Sequence, residues 1–444
     1  MPASPIDSAI YRGLFGDDDL ARLFSDSAEV RAMLLVEGAL AKAQGGLGMI
    51  PETAASFLHR AVQEIQIDPS GLAAETATNG VPVPALVAAA RKALEAPEHA
   101  RYLHWGATSQ DICDTALALR LRAALKIVDA RLAAAIAALA DLAEAHAETP
   151  MLARTYGQGA VPTSFGAVAA GWGAPLLHHR ARLTDLSPRL LSVSLSGAAG
   201  TLSAMGGAGP AVRAALAAEL GLSDPGGSWH AGRDRIGDLA GWAAGLAASL
   251  GKIGEDLLSL TRTGVEELRL GAGGGSSTMP QKQNPVAASA LVALCRHAIG
   301  LAGLVQGAGM HRDQRDGAAW FSEWLALPGL VLATGRAAAL TRDLAETARP
   351  DPGRMAAALD DGLGLVMAEA LTFALAETLP RPEAAAAVTA LCAEARDSGT
   401  PLAALAARDH PGRDWAALLD PRHGLGTAPA EARAFARQAR GLAG

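Results

Sequence analysis

This 444-residue chain is short of aromatic side chains (4%), charged side chains (19%) and cysteines (3), and it has no basic run. Each shortage excludes something. Cys113, Cys295 and Cys392 lie far apart, with no CxxC pair and no Cys/His metal spacing. That argues against a disulfide framework or a structural zinc, and fits the reduced thiols of a cytoplasmic protein. A net charge of −7 without a lysine-rich tail removes the phosphate attraction on which nucleic-acid binders rely, so no nucleic-acid partner is expected. The first residues, Met1 to Asp7, carry neither the basic nor the apolar region of an export signal. A stretch without charges, 155–179, holds Pro162, Pro175 and five glycines, which a lipid-facing helix would avoid, and no membrane segment is expected. His146, His178 and His179 lack ligand spacing and HExxH is absent, so neither a metal nor a cofactor is expected.

What remains is apolar: half the residues are hydrophobic, with alanine and leucine prominent and no stretch of β-branched alternation. The fold class reads as all-α. Asp129 to Thr149 is a clear helical pattern, roughly 30 Å long, stopped by Pro150. Similar patterns over 236–269, 285–309, 324–348 and 355–379 suggest a bundle. Punctuation divides the chain into an N-terminal helical region, 1–112, a central long-helix bundle, 113–345, and a C-terminal helical region, 346–444, set off by Arg349-Pro350-Asp351-Pro352. So much apolar surface on so few charges favours a core continued across subunits, and therefore a homo-oligomer.

The richest segment is Gly271 to Pro285, GAGGGSSTMPQKQNP. Its glycines let a backbone open and close, Ser276 and Ser277 bring hydroxyls, and Lys282 and Asn284 supply a charge and an amide beyond Pro280. No GxxxxGK[ST] is present, so a phosphate loop is not indicated. Glycine content alone would equally suit a flexible linker. The ordered residues from Gly275 to Pro285, however, resemble the GSSxMPxKxNP signature of the fumarase/aspartase/argininosuccinate lyase superfamily. That resemblance implies proton transfer by Ser276 on a mobile loop, and binding of a substrate carboxylate by Lys282 and Asn284.

Two more segments agree. His104-Trp105-Gly106-Ala107-Thr108-Ser109-Gln110-Asp111 through Asp114-Thr115 is similar to the superfamily's HxGxTSxDxxDT segment, which puts His104, Thr108 and Ser109 at the substrate. Taken alone, Thr108 to Asp111 would also serve as a helix N-cap, and the two roles are compatible because helix N-termini favour anions. Arg154-Thr155-Tyr156-Gly157-Gln158 resembles the RTHGQ stretch of the lyases, with Tyr156 where they carry a catalytic histidine. A departing amine needs an acid such as histidine, whereas a departing carboxylate needs little help. Tyr156 therefore points to the bacterial cycloisomerase branch of the superfamily, whose members close a carboxymuconate into a lactone and carry an aromatic residue there. Tyr156 and Gln158 would shape the pocket. Arg315 would sit at the superfamily's recurrent active-site arginine, unless it merely pairs with Asp313 or Asp316 at the surface. His230 and Arg233 are further candidates for a carboxylate pocket, equally readable as loop polarity.

The resemblance implies a homotetramer with a twenty-helix core, active sites shared between subunits, a small tricarboxylate as substrate and no cofactor. An adenylosuccinate-type C–N lyase and a non-catalytic helical scaffold are the rivals. Tyr156 opposes the first, and intact Ser276, Lys282 and Asn284 oppose the second.

Overall fold

The computed structural model describes residues 4–271, 274–275, 279 and 282–441. The chain divides into two compact units: one comprises Met1–Arg131, His179–Ala248 and Ala293–Ala338, the other Leu132–His178, Ser249–Val292 and Ala339–Gly444. Five long helices, Ser109–Ala145, Phe165–Leu190, Asp234–Thr261, Val286–Gly307 and Gly317–Thr347, each run from one unit into the other. The all-α expectation stands.

In the first unit, the helix Asp26–Gly46 lies against Glu52–Ala61. Their backbones approach so closely that a Cβ on Gly45 would collide with the Ala55 side chain, so only glycine fits there. Met33, Leu34, Leu40, Leu58, Leu86, Leu103 and Ile112 form the core around this pair. In the second unit a separate C-terminal cluster gathers Leu371, Leu375, Val388, Leu391, Leu402 and Trp415.

Two differences from the sequence expectation bear on the site. Residues 150–164, read as helix stop and loop, form an antiparallel hairpin, Pro150–Thr155 with Gln158–Ser164. It has too few β-branched residues to be legible. What holds it is backbone pairing and a tie from Arg154 to the buried Glu267, 113 positions away. The pattern 355–379 is broken at Gly362 and Gly364, which both adopt positive φ, while Asp361 accepts the amides of Leu363 and Gly364. The helices there are Pro352–Leu359 and Ala368–Ala376.

Val286–Gly307 and Gly317–Thr347 are long and apolar enough to cross a membrane, but half and two-thirds of their most apolar windows are buried within the chain. Those proportions are those of core helices.

Candidate active site

A buried polar cluster sits at the head of the Ser109–Ala145 helix, in the first unit. Thr108 occupies the position before the helix, and its amide donates to Asp111 Oδ2 at 3.0 Å, the back-reaching half of a capping box. Asp111, fully buried, also accepts the amides of Ser196 (2.8 Å) and Gly197 (3.0 Å) and His230 Nε2–H (2.8 Å). One carboxylate thus binds the helix start to the 192–200 loop and to the 228–235 segment. Gln110 extends the tie: its amide NH2 donates to the His230 carbonyl (2.9 Å), and its Oε1 accepts Arg315 Nε–H at 2.8 Å. Arg315 NH2 reaches the Ala198 carbonyl at 3.1 Å, and NH1 makes no hydrogen bond among the described residues. Thr115 closes the cluster by exchanging hydrogen bonds with Ser194.

Arg233, only 3% exposed, was expected at the substrate but spends four of its five N–H donors on two buried carboxylates. Its NH1 and NH2 hold Asp114 (2.7 and 3.2 Å), and its Nε and NH2 hold Glu323 (2.9 and 2.5 Å). Burial pushes the Glu323 carboxyl up, against the pull of Arg233. The guanidinium also stacks on Trp229. His230 is likewise buried, with Nε2 committed to Asp111. His104, Thr108 and Ser109 remain partly exposed around the same turn. His104 adopts φ +64° and contacts Glu37 Oε1 through Nδ1 at 2.7 Å. Cys113 in this motif is a buried packing residue whose thiol is pushed well up by burial.

The second unit holds the remaining candidates. Tyr156 and Gly157 form the two-residue apex of the hairpin with φ of +52° and +75°, and Thr155 pairs with Gln158 beneath them. A tyrosine held in the left-handed region costs about 1–2 kcal/mol. Its side chain is fully exposed, and Gln158 is exposed beside it. At the base, Arg154 forms a two-pronged bond to Glu267 (2.7 and 2.8 Å), which raises the arginine's pKa further. The two ends of the glycine-rich loop are zipped together, Gly274 opposite Asn284 and Gly275 opposite Gln283. Lys282 is exposed and Asn284 partly so. Ser276 lies outside the described residues.

Sequence reasoning missed the partners: Glu37, Gln110, Asp114, Glu267 and Glu323. For all but Glu267, which lies between a helix and a strand, the one signal was acidic or amide side chains at core spacing on apolar helices, where a carboxylate needs a buried mate.

A lyase family model matches residues 15–300. A 3-carboxy-cis,cis-muconate cycloisomerase of Bradyrhizobium diazoefficiens is 43% identical over 364 residues, 81% of either chain. A nitrosuccinate lyase of Streptomyces davaonensis is 37% identical over 446 residues, spanning 96% of this chain and 94% of its own. Among solved structures, a 3-carboxy-cis,cis-muconate lactonizing enzyme from Pseudomonas putida superposes with a TM-score of 0.91 at 34% identity, covering 98% of this chain and 100% of that one.

Proposed function

This chain belongs to the lyase family, and from that premise we propose that it closes 3-carboxy-cis,cis-muconate to 4-carboxymuconolactone, a step in protocatechuate catabolism. One carboxylate oxygen of the substrate adds to the carboxyl-bearing alkene carbon, forming the ring C–O bond. The alkene electrons move to the carbon alpha to another carboxylate, which takes up a proton. The nucleophile belongs to the substrate, so the protein contributes orientation, a proton and stabilisation of an enediolate-like dianion.

We assign the proton to Ser276, the enediolate to Lys282 and the orientation of that carboxylate to Asn284. Thr108, Ser109, His104 and NH1 of Arg315 bind further carboxylate oxygens, with Tyr156 and Gln158 shaping the pocket. Arg233 and His230 we reassign to holding the helix head, since every nitrogen of the Arg233 guanidinium and Nε2 of His230 already engage buried carboxylates. The observation that carries the reading is Tyr156 at the hairpin apex, where the lyases place an acid for a leaving amine.

In the same reading four chains assemble around a twenty-helix core, with residues 113–345 as the bundle and 1–112 and 346–444 flanking it, and each site draws on several subunits. Leu325, 87% exposed, and Leu304, 62% exposed, support this, because they stand on core helices as apolar side chains that one chain leaves in water.

The test is to mix the purified protein with 3-carboxy-cis,cis-muconate and follow loss of the diene absorbance, with Ser276→Ala as control. Rapid loss that depends on Ser276 is expected. Turnover of nitrosuccinate or adenylosuccinate in its place would make the chain a C–N lyase, the second reading that the Streptomyces relative favours.

A further inference from the structure

Glu37 stands mid-way along the Asp26–Gly46 helix, on a face otherwise made of Met33, Leu34, Leu40 and Ala41, all buried. It is itself only 1% exposed. Its Oε1 meets His104 Nδ1 at 2.7 Å, and its Oε2 has no hydrogen-bond partner among the described residues. Burying a carboxylate costs several kcal/mol even when paired, and a half-satisfied one is poorer still. Leucine or alanine would fill the position at no such cost. Packing therefore gives no reason for an acid here, and its one contact is the reason that remains.

That contact is to a ring with a free side. His104 Nε2 makes no hydrogen bond among the described residues, and the ring is partly exposed on the turn that leads into Thr108 and Ser109. The turn is pinned from behind, since Arg91 NH2 donates to the Leu103 carbonyl at 2.9 Å. Three charged groups face the ring from three helices: Glu37 from Asp26–Gly46, Asp111 from Ser109–Ala145 and Arg91 from Val83–Ala93. Burial works against a charged imidazole. The charge and hydrogen bond of Glu37, joined by Asp111, outweigh burial and Arg91 together, and the pKa of His104 lies above its ordinary value.

We propose that Glu37 is a positioning residue that fixes the His104 ring through Nδ1, so that Nε2–H is offered as a donor to a substrate carboxylate. The identity of that carboxylate rests on the cycloisomerase reading, whereas the state of the ring does not. The sign of the pH dependence follows: binding is strong while the ring is charged, and KM rises as pH climbs through the His104 pKa.

Histidine Cε1–H resonances, with His104 assigned from their loss in His104→Gln, read the ring without any substrate. The expected midpoint for His104 is above the ordinary 6.5, and the isosteric Glu37→Gln lowers it. A wild-type midpoint at or below 6.5, or one that Glu37→Gln leaves in place, overturns the proposal. In turnover of 3-carboxy-cis,cis-muconate, Glu37→Gln is expected to raise KM about tenfold with kcat within about threefold, and to move the rise of KM to lower pH. A fall in kcat at unchanged KM overturns it as well. If Glu37→Gln does not fold, the wild-type titration decides alone. If the protein does not consume the muconate, the cycloisomerase reading falls, and the titration still decides the pair.

Discussion

The head of the Ser109–Ala145 helix and the apex of the 150–164 hairpin carry equally polar motifs and treat them in opposite ways. At the helix head Gln110, Asp111, Asp114, His230 and Arg233 are buried and joined to one another or to backbone amides. At the apex Tyr156 and Gln158 point into solvent, and Lys282 at the glycine-rich loop is equally exposed. The first arrangement is tied together within one chain, so that its carboxylates and its arginine are oriented before anything binds. The second leaves its side chains in water and holds a tyrosine in the strained left-handed region. A motif match therefore marks two kinds of residue, those left exposed and those consumed by partners within the chain, and only the fold separates the two.

The contrast is broken most sharply from its buried side. Arg233→Met should cost about 3–5 kcal/mol of stability, because Asp114 and Glu323 would be left as uncompensated buried carboxylates; denaturant unfolding measures it. A loss under about 1 kcal/mol would show that water relieves the cluster and that its burial is not what holds the helix head. On the exposed side the cost should move from folding to turnover. Lys282→Ala is expected to lower kcat by about 10²–10³ with unfolding unchanged, as removal of one preorganised charge at a developing anion does. Near-normal kcat in that variant would take the enediolate role away from the loop. The smallest effect is expected at Tyr156→Phe, with kcat/KM within about threefold, since the ring and not the hydroxyl is assigned the work. A drop of 10² or more would instead make Tyr156 a general acid.

Much of this was legible in the chain. The long helix 285–309 was read nearly at its true ends and 324–348 at its C-terminal end, though it starts earlier, at Gly317, because 3.6-residue periodicity and Gly/Pro punctuation are local signals. The hairpin was not, since its strands lack alternation and are stabilised by Glu267, far along the sequence. Site residues followed the same division. His104, Thr108, Ser109, Lys282 and Asn284 lie in contiguous motifs, whereas Glu37 is an unremarked acid in a helix, 67 positions from the histidine it serves.

By itself, then, the sequence determined the all-helical class, the lyase family and the segments that carry chemistry, since these depend on local propensity and on short ordered strings of residues. The tertiary structure alone decided which of those polar residues are consumed. Whether Arg233 faces a substrate or two buried carboxylates depends on Asp114 and Glu323 meeting across 119 and 90 positions, and chain separation carries no trace of that until the fold removes the water between them.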